Sequence, residues 1–555
     1  MKIKLIAVAA LAVCGSGAFA ATVASKCVAP ATSTVDLVTA CAPEVTLYMA
    51  GASAQQPAVQ KLLGTTDAVF DLSKAIAKIS KTTGAAVAPH ANATAVTGLS
   101  GVAVTTEAGL GAKNTEIYVG TGSSKMGAAA GKRIAVVFNT ANGSFAGVKQ
   151  MTEAKDTNGI SGSVGGELAS QGLVTAAMAK AGTTLSCVRT SATDFVAVNG
   201  ATAPTIPSYS CAGNAFNYVT TVPAGGVKGV QLALADVAPN QAAIGVLTAG
   251  KWTAPKFPLT VTGMQGFGVM VNDKALQALI KREVAAGRMG ADCLTIGATN
   301  GTTSTLTAAC QPNLSHADMA ALITGRATAA LISGDAADTT AIAYSRRVDF
   351  SGTQASSNIE FGGQAATEGF KAADIIAKKV TPTGFLALSD AGVAEPVTGQ
   401  YTKTSTDGKF ITNAKVGSGD VITAVSADTT NYAFGVVSLE KVWKPVKADS
   451  ALKGASWVKI GGISPNFKAD GSNDTTHRFG MLNGYPFQFE MVAIKNATNS
   501  KYPAIAAVVD GIVAGMQDPA FNLAGIAYIN SSDTTKNANF TRGGLGNNYA
   551  PLSVK

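Results

Sequence analysis

The chain has 555 residues and a formal net charge of +9, with only 14% of its residues charged and 6% aromatic. So long a chain exceeds one ordinary hydrophobic core and calls for two or three lobes. Charge this dilute, with no basic run and few aromatic rings, excludes a nucleic-acid-binding surface, although a mildly basic protein still draws small anions.

The chain opens with MKIKLIAVAALAVCGSGAFA, in which Lys2 and Lys4 precede an apolar run from Leu5 to Val13 and the small-residue stretch Ala18-Phe19-Ala20. That layout predicts a secretory signal peptide over 1–20, cleaved after Ala20, and hence a periplasmic or extracellular protein. The run is too short to span a bilayer, which takes roughly 20 residues. A rival reading makes Cys14 of LAVC a lipidated residue, though Val13 is bulkier than the small residue usual before such a cysteine.

The remaining cysteines fall into local couples, Cys27–Cys41, Cys187–Cys211 and Cys293–Cys310. In an oxidising compartment these predict disulfides. Each would close a short loop, which contributes about 3 kcal/mol in the chain-entropy picture. No CxxC spacing occurs and the chain has 3 histidines, so neither a metal site nor a cofactor is expected.

In chain order, TLYMAGASAQQPAV (46–59) reads as a strand running through Gly51-Ala52-Ser53 into a helix. KRIAVVFNT (132–140), LTVTGMQGFGVMV (259–271), TAIAYSR (340–346) and YAFGVVS (432–438) are rich in β-branched and aromatic residues and predict strands. DKALQALIKREVAAG (273–287), SHADMAALITGR (315–326), ATEGFKAADIIAKK (366–379) and YPAIAAVVDGIVAGMQD (502–518) carry helical spacing. Ser315 and Asp318 form a capping-box variant ahead of the second of these. The alternation predicts an α/β fold with largely parallel sheets. Segments 74–130, 155–230 and 385–430 are rich in Ala, Gly and Thr with weak periodicity, and read as insertions or decorated loops.

Glycine and hydroxyl residues collect where strands hand over to helices: Gly51-Ala52-Ser53, Gly143-Ser144, and Ser351-Gly352-Thr353 beyond Arg346 and Arg347. Unpaired N–H groups and the helix dipole make such turns ready anion sites. Read from the residues alone, Arg347 and Asp349 can instead form an ion pair at a strand end, and Asp236 can simply cap a turn.

Taken in order, these stretches resemble the phosphate-binding solute receptors of bacterial ABC transporters, which have the type II periplasmic binding protein fold. Ala50-Gly51-Ala52-Ser53 with Pro57 matches the family's first loop, AGAT followed by Phe and PAP. Gly143-Ser144-Phe145-Ala146-Gly147-Val148-Lys149-Gln150 aligns without a gap with its second, GSSGGVKQ. Asp236 in LADVAP matches the aspartate of its third, and Arg347-Val348-Asp349-Phe350-Ser351-Gly352-Thr353 matches RxDGSGT. Ala54 stands where the family has phenylalanine and Phe350 where it has glycine, and the stretch from Ser144 to Asp236 is longer.

The resemblance implies a two-lobed chain with a hinge, decorated by the insertions. After the signal, 21–260 would begin the first lobe (with insertions about 74–130 and 155–230), 261–434 would form the second, and 435–555 would return to the first. The crossings would lie near 259–271 and 432–438. It implies that Ser53, Ala54, Ser144, Arg347, Ser351, Gly352 and Thr353 hold the anion, while Asp349 steadies Arg347. Asp236 would accept a hydrogen bond from a protonated phosphate oxygen, which sulfate cannot offer. The implied partners are phosphate and an ABC transporter membrane complex. Enzyme chemistry is not expected, since no GxSxG, HExxH or P-loop occurs. The competing classes are a weak secreted phosphatase-like activity and a surface or matrix protein whose insertions serve adhesion.

Overall fold

The computed structural model describes residues 44–71, 77–82, 95–100, 115–140, 143–144, 147–148, 151, 184–191, 208–212, 230–238, 257–296, 306–347, 351–362, 401–405, 407–415, 417–441, 454–529, 531–542 and 552–555. The signal segment, the Cys27–Cys41 couple, Asp349 and the helix expected over 366–379 lie outside the described residues.

The first half starts with β1 (Val45–Gly51), a 3-10 turn (Ser53–Gln55) and α1 (Gln56–Thr65). Pro57 sits in the first turn of α1, where its missing N–H has no helical partner to lose. Next come β2 (Thr115–Thr121), β3 (Arg133–Asn139) and β4 (Leu232–Ala235). β1 runs parallel to both β3 and β4, with Tyr48 opposite Val137 and Ala50 opposite Ala233.

The chain then crosses through β5 (Leu259–Asn272), a strand of 14 residues, into α2 (Asp273–Ala285) and α3 (His316–Ile323). Asn272 caps α2 by accepting from the Ala275 N–H at 3.0 Å. The Ser315–Asp318 capping box predicted for α3 is closed in both directions, at 3.0 and 2.9 Å. β6 (Ile342–Arg347), α4 (Gly352–Gly362), β7 (Phe410–Lys415), α5 (Ser418–Ala427) and β8 (Tyr432–Ser438) follow. β6 is the parallel centre of this half, with Ile342 opposite both Phe410 of β7 and Tyr432 of β8. Every residue of β6 and β8 is buried, including Ser345, Arg346 and Arg347 of β6. β9 (Gln488–Lys495) and α6 (Pro503–Gln517) complete the elements used below.

One sheet carries both halves, in the order β7-β6-β8-β5-β9-β4-β1-β3-β2. Beyond β2 it continues through strands at 77–82, 208–212, 184–191 and 95–100. β5 is the shared member: Phe267–Val271 pair with β8, and Leu259–Gly266 pair with β9. Two hydrophobic cores flank it. Val59, Leu62, Ile505 and Ile512 of α1 and α6 pack on β1 and β3 in one. Leu276, Met319 and Val421 of α2, α3 and α5 pack on β6 and β8 in the other. The chain is therefore α/β and built in two halves.

The core memberships refine the expected plan. Trp457, Ile460, Tyr485, Phe487 and Phe489 belong to the second core, and the first resumes with Met491. Residues of the second core thus extend as far as Phe489 of β9. Residues 401–427, read from the sequence as decorated loop, supply β7 and α5, which complete the second core. FITNAK lacks an apolar strand signature because it alternates buried with half-buried positions, and a buried Thr412 sits on its inner face.

Cys293 and Cys310 form the expected disulfide, with Cα atoms 5.2 Å apart. Cys187 and Cys211 are register partners on adjacent antiparallel strands. Among the described residues no helix is long and apolar enough to cross a membrane.

Candidate anion site

In a parallel sheet all strands end on one side, and the loops at their carboxyl ends meet there. β1 ends in Gly51 and the turn Ser53–Gln55, β3 leads toward Ser144, and β4 ends at Asp236. In the other half β6 ends at Arg347 ahead of Gly352, and β7 leads to Ser418. The residues picked out by sequence are therefore loop residues carried by the central strands of both halves.

Two glycines draw the loops together. A Cβ on Gly147 would stand 2.6 Å from the Ala50 carbonyl carbon and the Gly51 nitrogen, so the second loop lies directly on the first. A Cβ on Gly352 would stand 2.4 Å from Ser144 Oγ and 3.0 Å from Asp236 Oδ2, so the start of α4 touches the opposite half. Ser144 Oγ in turn accepts from the Asp236 backbone N–H at 3.3 Å. Replacing Gly352 with Ala should lower the melting temperature, because overpacking a close contact costs about 1–3 kcal/mol. Gly to Ala ordinarily stabilises a helix by roughly 0.5–1 kcal/mol. A thermal melt that moved upward would show that α4 does not press on Ser144 and Asp236.

The charges at this junction are buried. Asp236 and Arg347 are each 3% exposed. Burial pushes the Asp236 carboxyl up to about 7, and the Glu440 carboxylate adds to the rise. Arg347, the Ser144 hydroxyl and the Gln55 amide work against it. Burial likewise lowers Arg347, to about 10, with Asp236, Asp420 and Glu440 holding it up, so it stays cationic at neutral pH. Arg347 Nη1 donates to Ser418 Oγ at 2.7 Å, and its backbone N–H donates to Gln354 Oε1 at 3.0 Å. Glu440 accepts from Gln265 Nε2 at 3.1 Å and from Ser438 Oγ at 2.7 Å, which ties it to β5 where the halves meet.

Of the residues singled out by sequence, Ser144, Asp236 and Gly352 are in direct contact, and Arg347 lies within electrostatic reach of Asp236. Ser351 and Thr353 flank Gly352 and are buried. Ser351 and Gly352 give their carbonyls to Ala355 N–H and Ser356 Oγ. The first N–H groups of α4 have no helical acceptor behind them. Ser53 is half-buried and Ala54 buried in the 3-10 turn, and the neighbour that reaches Asp236 is Gln55. The steadying role expected of Asp349 falls outside the described residues, while Ser418 and Gln354 visibly hold Arg347.

Ser418, Gln55 and Glu440 were not found from sequence. Ser418 carried a signal, since GSGD (417–420) after a strand is one more glycine-and-hydroxyl handover, and Asp420 accepts from the Gly417 N–H at 3.0 Å. Gln55 and Glu440 carried none. Among the described residues Asp292, Cys293 and Cys310 group as metal ligands would, but the two sulfurs are bonded to each other.

No protein-family model matches the chain, and no curated protein matches it. Several solved structures share a remote likeness. A protein from Clostridium perfringens, assigned as a phosphate ABC transporter substrate-binding protein and carrying bound phosphate, is 15% identical over 51% of this chain and 72% of its own, with a TM-score of 0.26. An ABC-type phosphate transport receptor from Vibrio cholerae is 13% identical over 51% of this chain and 74% of its own, with a TM-score of 0.25. A phosphate-binding protein from Stenotrophomonas maltophilia is 13% identical over 49% and 65%, with a TM-score of 0.25. Likenesses this distant carry no argument about the ligand, which has to come from the site.

Proposed function

We propose that this chain is a solute-binding protein that captures an oxyanion, inorganic phosphate, between its two halves. What supports the reading is one contact: Gly352 at the start of α4 meets Ser144 and Asp236 of the opposite half, with Arg347 beside them. A tetrahedral oxyanion held there would meet donors on both sides. The Arg347 fork suits two of its oxygens. Ser144, Ser351 and Thr353 hydroxyls and the first N–H groups of α4 suit the others, with Ser53 on the β1 turn. Closing the halves over a ligand is then a hinge motion about β5 and β9. Delivery to an ABC transporter, following export through the predicted signal peptide, belongs to the same proposal and rests on the resemblance of the four loops.

Asp236 decides which anion. A carboxylate facing an anion is tolerable when the ligand brings a proton to share, and phosphate does while sulfate does not. The carboxyl titrates at about 7. Above that pH it is ionised and only accepts; below it the acid form can donate, and sulfate loses its penalty. Discrimination between phosphate and sulfate should therefore be widest near pH 8 and shrink toward pH 6. Calorimetric titration of the purified protein with phosphate, arsenate, sulfate and a phosphate ester at both pH values tests this. Sulfate binding as tight as phosphate at pH 8 would remove Asp236 from the ligand, and binding of none of the four would end the oxyanion reading.

A further inference from the structure

Gln55 is completely buried in the 3-10 turn after β1, yet neither Nε2 nor Oε1 of its carboxamide has a hydrogen-bond partner among the described residues. Asp236 Oδ1 is in the same position. The Gln55 amide lies close enough to favour the ionised form of Asp236, without completing a hydrogen bond of ordinary geometry. Buried polar atoms are nearly always paired, because an unpaired one forfeits its bonds to water for nothing. Three such atoms on two neighbouring side chains mark a place where a further polar group belongs. A glutamine kept only for packing would turn its amide to the nearby backbone, as Gln265 does toward the Gly525 carbonyl at 3.2 Å.

We propose that Gln55 is a ligand-contacting residue that sets which oxyanion the site accepts. The inference rests on the oxyanion reading above. A primary amide has two N–H donors and a carbonyl acceptor. One N–H would complete the bond to Asp236 Oδ1 and hold that carboxylate as an acceptor. The second would donate to an anion oxygen, and Oε1 would accept from a protonated one. Arg347 can only donate, and ionised Asp236 can only accept. Gln55 thus gives the site an alternative acceptor for the ligand's proton, so a protonated tetrahedral oxyanion is favoured over a bare one.

The test is Gln55→Met, which keeps the length and removes both polar atoms. Melting curves without ligand come first. Losing unpaired polar atoms from a buried site is neutral or stabilising, so the melting temperature should hold or rise. Calorimetry at pH 8 with inorganic phosphate should show affinity falling at least about tenfold, the loss of a charge-assisted hydrogen bond. Sulfate binding should change less, so the phosphate-to-sulfate ratio should narrow. Gln55→Asn, which keeps the amide but draws it back, should move affinity in the same direction. A wild type that binds phosphate beside a Met variant that binds it equally well overturns this inference and leaves the oxyanion reading standing. A Met variant that melts lower or fails to fold makes Gln55 a structural residue and overturns it too. A wild type that binds neither anion ends the underlying reading itself.

Discussion

Arg347→Ala should lower affinity for phosphate by about 100-fold or more. The guanidinium offers two parallel charge-assisted hydrogen bonds, each contributing roughly 1.5–3 kcal/mol. Arg347→Lys keeps the charge and loses the fork, so it should fall between wild type and Ala. The Ala variant also strands buried carboxylates: Asp236 and Glu440 both face Arg347. Removing one member of a buried ion pair costs about 3–5 kcal/mol. Part of that is relieved when Asp236 takes up a proton, so the stability deficit should be larger at pH 8 than at pH 5. Calorimetry and denaturant titration at the two pH values measure both effects. A folded Ala variant that binds phosphate like wild type takes Arg347 out of the site.

Asp236→Asn should open the site to sulfate. At pH 8 wild type should prefer phosphate by more than about 100-fold, since an unpaired buried acceptor facing a charged ligand costs several kcal/mol. The Asn amide can donate as well as accept, so the variant should bring sulfate within roughly tenfold of phosphate, and sulfate binding should no longer strengthen as pH falls through 7. Stability without ligand gives a second reading. The Asp236 carboxyl titrates at about 7 in the folded chain, above its unfolded value of about 3.9. Between those values the native state holds a proton that the unfolded chain has released, so stability falls as pH rises from about 4 to 7. In the Asn variant that slope should flatten. A variant that keeps the wild-type selectivity and the wild-type slope would place Asp236 away from the ligand.

The strands and helices of both cores were largely legible because their apolar periodicity is strong. β5, β6, β8, α2 and α6 lie within a few residues of where TVTGMQGFGVMV, AIAYSR, YAFGVVS, the DKAL helix and the YPAI helix place them. The loops were legible for another reason: a glycine required by close approach leaves a mark in sequence, as Gly147 and Gly352 do. β7 was lost because an edge-ward strand with Thr412 and Asn413 lacks the apolar signature. Gln55 and Glu440 carry no sequence signal because their roles arise from contacts distant along the chain, between residues 55 and 236 or 440 and 265, that no local pattern encodes. Core membership on β9 is equally illegible locally, since Phe489 and Met491 are two residues apart and belong to different cores.

β5 finds its partner β9 some 200 residues downstream, and α6, which seals the first core, comes later still. During synthesis, at roughly 5–20 residues per second, about 10–40 s would pass between the emergence of β5 and that of β9. Through that interval β1, β3 and β4 could pair, but their apolar faces would have no helix α6 to cover them. The halves are thus poorly suited to folding one after the other off the ribosome. Pairings this distant in sequence also close slowly. A nascent chain of this design stays open to holding chaperones until nearly all of it has been made, and both cores should then consolidate in a single late event.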